Sequence, residues 1–145
     1  MPANTSQFYV DHAGMGVPDL DATIEWYQRV FELKVTRQFS TPAFKAVFME
    51  REGGRLEIFQ ATPPPPEKSV KLLTPADLDA AMVKLGFTHV AFGVPDVDAA
   101  WALAVSRGAT AVMAPNTQGG TRCGHVGDLN RNIIELIQPV SSSQK

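Results

Sequence analysis

His12-Ala-Gly-Met-Gly-Val-Pro-Asp-Leu-Asp-Ala22 returns 77 residues later as His89-Val-Ala-Phe-Gly-Val-Pro-Asp-Val-Asp-Ala99. A self-similarity of this length within 145 residues marks a duplicated fold unit, and it decides the architecture before any local signal does. Each copy also closes on a carboxylate set between aliphatic residues, Leu56-Glu57-Ile58 in the first and Ile134-Glu135-Leu136 in the second. These lie 78 residues apart, so the register of the repeat holds to within one residue from its first strand to its last.

Working outward from His12, residues 7–16 alternate weakly and read as a strand. Val17-Pro18-Asp19 stops it, and Asp19 or Asp21 can cap a helix over 20–31 whose apolar positions Leu20, Ile24, Tyr27, Val30 and Phe31 recur at helical spacing. Three further strands are predicted, over 33–40, 44–50 and 55–61, with Arg51-Glu52-Gly53-Gly54 as a hairpin turn in which glycine supplies positive φ. The second copy repeats the order: strand 87–94, helix 97–107, and strands 109–113, 121–126 and 133–138. The expectation is one α+β domain of two tandem βαβββ modules, about 7–61 and 87–138, forming a half-open barrel. Trp26 and Trp101, on the two helices, are assigned to the core.

The linker, 62–86, opens with four prolines, Pro63 to Pro66, which favour an extended spacer. Thr74 and Pro75 then fit the N-cap and first turn of a short helix with an apolar stripe of Leu78, Met82 and Leu85. Padding is the simplest role for it, ahead of a lid or a dimer contact. The tail, 139–145, reads as disordered.

Composition narrows the function classes. Hydrophobic residues make up 44% of the chain, enough to fill a core, and a net charge of −2 from interspersed residues gives no nucleic-acid or membrane footprint. Small molecules are the expected partners. One cysteine, Cys123, excludes an internal disulfide and reads as a small buried hydrophobe. No apolar run reaches membrane-spanning length and the N-terminus lacks a signal pattern, so a cytoplasmic location is expected.

Strand parity carries the chemistry. In Leu56-Glu57-Ile58 the aliphatic pair points to one face and Glu57 to the other, and the same holds for Glu135 between Ile134 and Leu136. His12 and His89 have small residues, Gly14 and Ala91, two positions on, which leaves room in front of each imidazole. If the sheets curl toward each other, His12, Glu57, His89 and Glu135 converge. Two imidazoles with two carboxylates are a ligand set for a divalent metal, and a cation would offset the cost of placing the two carboxylates together. His125, flanked by glycines on a third strand, is read first as a structural histidine and second as an acid or base beside the site.

Paired βαβββ modules with His on the first strand and Glu on the last resemble the vicinal oxygen chelate superfamily, which includes glyoxalases, bleomycin-resistance proteins and extradiol dioxygenases. The resemblance covers residues 8–138. Its most telling segments are DHAGMGVPDLDATIEWY, THVAFGVPDVDAAW and GDLNRNIIELIQ. The last is similar to the family's Asp-Pro-x-Gly-Asn-x-x-Glu-Leu ending, with Leu129 in place of the proline and Arg131 in place of the glycine. Among members, the four-residue set is most similar to that of glyoxalase I. The resemblance implies a metal (Ni, Zn, Co, Mn or Fe) held by His12, Glu57, His89 and Glu135, with Glu135 or Glu57 as the base that moves a proton beside a carbonyl through a metal-stabilised enediolate. It also implies glutathione as a possible co-substrate, for whose carboxylates Arg37, Lys45 or Arg122 could serve, and a homodimer. Alternatives within the resemblance are an Fe(II) extradiol-type dioxygenase, an acyl-CoA epimerase and a metal-free ligand-sequestering protein.

Overall fold

The computed structural model describes residues 9–138. The expectation for the disordered tail lies outside them; of the first strand expected over 7–16, residues 7 and 8 lie outside as well, while 9–12 are not strand and β1 begins only at Ala13. Each half forms its own four-stranded mixed sheet. The first contains β1 (Ala13–Gly16), β2 (Lys34–Ser40), β3 (Phe44–Arg51) and β4 (Gly54–Ala61) in the order β1-β4-β3-β2. The second contains β5 (His89–Gly93), β6 (Thr110–Gln118), β7 (Thr121–Gly127) and β8 (Ile133–Ile137) in the order β5-β8-β7-β6. In both, the first strand lies parallel to the last and the other pairings are antiparallel.

The helices are α1 (Leu20–Phe31), α2 (Pro75–Met82) and α3 (Val97–Ser106). Asp19 caps α1 and its repeat counterpart Asp96 caps α3, each accepting a hydrogen bond from the backbone three residues on at 3.0 Å. The expected hairpin turn is present, but positive φ falls on Glu52 and Gly53 rather than on the two glycines. The expected strand 109–113 runs further, to Gln118, with register shifts that bend it.

Parity is followed strictly. Leu56 and Ile58 are buried with Val47 and Met49, Ile134 and Leu136 with Val126, and all of them join one core with Trp26, Tyr27, Val97 and Ala104. That core unites the modules, because α1 and α3 together cover the aliphatic faces of both sheets. Phe31 stacks on Phe92 at 4.8 Å between ring centroids, and Trp26 donates to the Gly108 carbonyl across the modules. Within one chain the two four-stranded sheets therefore remain separate units, joined through one core under their helix-covered sides. The physical reason is burial: shared helices remove both aliphatic faces from water at once.

A polar clamp locks the same junction. The buried Asp128 carboxylate accepts from the Tyr27 hydroxyl at 2.8 Å, from the backbone N–H groups of Asn130 and Asn132 at 2.8 Å each, and from the Asn132 side chain at 2.9 Å. Burial, and then the Asp128 charge, push the Tyr27 hydroxyl pKa well above its ordinary value, so it remains a donor. The linker packs on the second module. Leu72 and Leu78 pack with Val112 and Ile133 of the second module, whereas Leu85, assigned to the helix stripe, is fully exposed beyond the end of α2.

Candidate metal-binding site

The structure brings the four sequence-predicted residues together in two pairs. His12 immediately precedes β1, and its Nε2 lies 3.2 Å from Glu57 Oε2 on β4. His89 opens β5, and its Nε2 lies 3.1 Å from Glu135 Oε2 on β8. The local cause is the parallel pairing, which sets Gly14 opposite Glu57 and Ala91 opposite Glu135. A short residue at each point leaves the carboxylate clear to reach the imidazole.

In both pairs the other ring nitrogen is held by an oxygen. His12 Nδ1 is 2.8 Å from Asp11 Oδ2, and His89 Nδ1 is 2.8 Å from Thr88 Oγ1. Such a partner fixes how the ring presents Nε2, as it does for metal-ligating histidines generally. When His12 gives its Nδ1 proton to Asp11, the lone pair on Nε2 faces the Glu57 carboxylate. Two acceptors at that distance require a proton or a cation between them. The hydrogen bond to Asp11, with Glu57 behind it, raises the His12 pKa and so favours the proton. The donor set, nitrogen and carboxylate oxygen with an oriented ring, fits a divalent ion.

The pairs do not meet. Glu57 and Glu135 project from the sheet faces opposite the shared core, and among the described residues no group of three or more His, Cys, Asp or Glu side chains lies close enough to share an ion. A cleft of about 710 Å³ between the first module and β5 with α3 is lined by His12 but not by Glu57, His89 or Glu135. β1 and β5 are both sheet edges, and next to them Val10 and Phe87 are almost wholly exposed.

The surroundings of the two pairs differ. His125 stands opposite Glu135 in register, buried, with an Nδ1 that has no hydrogen-bond partner among the described residues, and its ring centroid lies 6.4 Å from that of His89. Burial depresses its pKa, so the ring is neutral. Cys123, on the same face, is buried as expected, and burial followed by the Glu135 charge raises its thiol pKa. In the first module the residue opposite Glu57 is Phe48, whose ring meets His12 edge-on at 5.1 Å. Sequence reasoning left Phe48 unassigned and read His125 first as structural and second as an acid or base beside the site; counting register back across the turn at 128–132 reaches His125 from Glu135.

The sequence profile of the Glyoxalase/Bleomycin resistance protein/Dioxygenase superfamily matches residues 9–136. No curated protein sequence matches the chain. Among solved structures, glyoxalase I from Zea mays superposes with a TM-score of 0.70 at 23% identity, over 90% of this chain and 44% of that one, so the chain spans under half the length of the maize protein. A glyoxalase family protein from Enterococcus faecalis gives 0.70 at 20% identity, over 89% and 96% of the two chains. A glyoxylase/bleomycin resistance protein/dioxygenase domain from Frankia sp. EAN1pec gives 0.70 at 15%, over 93% and 100%. At these identities the likeness is one of fold.

Proposed function

Since the chain belongs to the Glyoxalase/Bleomycin resistance protein/Dioxygenase superfamily, we propose that it is a metal-dependent isomerase or lyase of the glyoxalase I type, moving a proton beside a carbonyl group of a small molecule. The observation that carries this reading is the doubled contact, His12 to Glu57 and His89 to Glu135, at 3.2 and 3.1 Å from equivalent register positions. A divalent ion held by these four residues supplies Lewis acidity at the carbonyl oxygen. Glu57 or Glu135 takes the proton from the adjacent carbon on a carboxylate oxygen and returns it to the neighbouring one. Asp11 and Thr88 keep the imidazoles aimed, and Phe48 limits water on one side of the site.

One pair offers two donors, and the pairs of one chain stand apart. The reading therefore includes a homodimer, in which His12 and Glu57 of one copy meet His89 and Glu135 of the other. The unpaired edges β1 and β5 and the exposed Val10 and Phe87 support it, since a second copy would cover them.

Metal content per chain, in protein purified without chelator or affinity-tag metal, tests this reading against a His12→Ala, His89→Ala double variant. About one ion per chain, lost in the variant, with lyase turnover of methylglyoxal plus glutathione restored by Ni, Zn, Co or Mn, is the expected result. Oxygen uptake with catechols and Fe(II) would replace it with ring-cleaving chemistry. No metal uptake by either protein would leave a ligand-sequestering role.

A further inference from the structure

Of the three cations considered for holding an acidic group, two are engaged. Arg122 grips Asp98 with two contacts of 2.6 Å, and Lys45 lies 3.7 Å from Asp21. Arg37 is in none of the ion pairs among the described residues. Its guanidinium lies over the rings of Phe39 and Phe48, at 5.3 and 5.9 Å from their centroids. Arg55, the other guanidinium over Phe48, already meets Glu50 at 2.7 Å and Asp11 at 3.4 Å.

Register connects this cation to the proposed reaction centre. Arg37 pairs with Phe48 and Phe48 with Glu57, so the three form one rung across the sheet, with an aromatic ring between the cation and the carboxylate. Two strand spacings put Arg37 roughly 10 Å from Glu57. Phe39, Phe44 and Phe59 extend the ring surface along the same face, in edge, tilted and stacked contacts at 6.0 to 6.2 Å. These three rings are only partly buried. The strands of the second module, which would face this sheet in a dimer, carry a single acid, Glu135, already paired with His89. A guanidinium enclosed there would lose water without gaining an anion.

We infer that Arg37 and the phenylalanine face select a substrate with an oxyanion head, carboxylate or phosphate, on a flat apolar body, the head lying about 10 Å from the reacting carbonyl. This assignment rests on the reading that His12 and Glu57 mark the reacting end. Planar guanidinium donors match an oxyanion with two hydrogen bonds, and the rings hold the body by stacking.

Calorimetric titration of the full-length chain with 3-phenylpropanoate, 3-phenylpropanamide, acetate and phenyl phosphate tests it. The ring acid should bind at least tenfold tighter than its amide and at least fivefold tighter than acetate. The advantage over the amide should vanish in Arg37→Gln, whose exposed position spares the fold, as a thermal melt would verify. Phenyl phosphate outcompeting the carboxylate in an Arg37-dependent way would name phosphate as the head. Equal affinity for acid and amide, an unchanged preference in Arg37→Gln, or no binding of any probe overturns the inference. Metal uptake by the unmodified chain separates the two ideas: Arg37-dependent binding in a chain that takes up no metal sinks the metal reading alone, and metal uptake without Arg37-dependent binding sinks this one alone.

Discussion

The two copies keep one contact and differ around it. Across the first sheet the rung reads Arg37, Phe48, Glu57, with His12 beyond; across the second it reads Met113, His125, Glu135, with His89 beyond. Next along, Ala46 and Phe59 of the first correspond to Cys123 and Ile137 of the second. The imidazole–carboxylate pair is common to both, while one neighbourhood is aromatic and cationic and the other compact and polar. Two halves that hold the same pair but offer different walls suit a site that binds a small, asymmetric ligand from two sides.

The largest effects should come from the shared pair. If one ion draws on both modules, Glu57→Gln and Glu135→Gln should each lower metal affinity, and each should reduce metal-dependent turnover by roughly 10²–10⁴-fold. Elemental analysis and steady-state rates of the two variants side by side check this. A variant that matters in one module only would show that the halves work separately, and would end the shared-ion reading.

Next in size is the clamp between the modules. Asp128→Ala removes four hydrogen bonds to a buried carboxylate and leaves the Tyr27 hydroxyl without its acceptor. A loss of about 3 kcal/mol in urea denaturation is expected, against about 1 kcal/mol for Tyr27→Phe, which removes one donor and keeps the turn. Equal losses would mean that the turn, rather than the junction, carries the stability.

His12 and His125 should respond to pH in opposite senses in metal-free protein. His12 has its pKa raised in the fold, so its contribution is complete below the ordinary value of 6.5 and is lost as pH rises through the folded value. His125 has its pKa lowered, so it is neutral in the fold, and stability falls as pH drops below 6.5 because the unfolded chain takes up the proton first. Ring-proton NMR titrations should show His12 with a midpoint above 6.5 and His125 below. His125→Leu, close in volume and without the unpartnered nitrogen, should remove the acid-side loss and stabilise the chain by about 1 kcal/mol at neutral pH. A loss of stability in that variant would mean that Nδ1 is satisfied after all.

Strand parity and the repeat made the fold units and both pairs legible. Alternation alone fixes which face Glu57 and Glu135 occupy, and Asp19 and Asp96 announce the helices that cover the opposite faces. Assembly of the modules was not legible, because parity assigns faces within a sheet and carries nothing about which sheets meet. The decisive terms there are Phe31 on Phe92 and Tyr27 on Asp128, contacts between residues far apart in sequence that no local pattern marks. Which of Arg37, Lys45 and Arg122 stands outside an ion pair was not legible for a related reason, since it emerges only when Arg122 and Lys45 are seen to have carboxylate partners among the described residues.

The smallest predicted effect tests a place where the second module departs from the family ending. Arg131 stands where that ending has glycine, and its φ of 61° is left-handed, a conformation that costs a side chain of this kind about 1 kcal/mol. The turn nevertheless closes, because Asp128 accepts from the backbone on both sides of Arg131, at Asn130 and Asn132, and the Arg131 side chain reaches the Lys68 carbonyl of the linker. Arg131→Gly relieves the backbone, forfeits that exposed contact and frees the unfolded chain, for a net gain of about 0.5 kcal/mol. Arg131→Ala forfeits the contact without relief. The difference between the two variants in thermal melts, about 1 kcal/mol in favour of glycine, isolates the backbone term. Alanine equal to glycine would show that the linker contact, and not the left-handed turn, is what arginine contributes to the turn before β8.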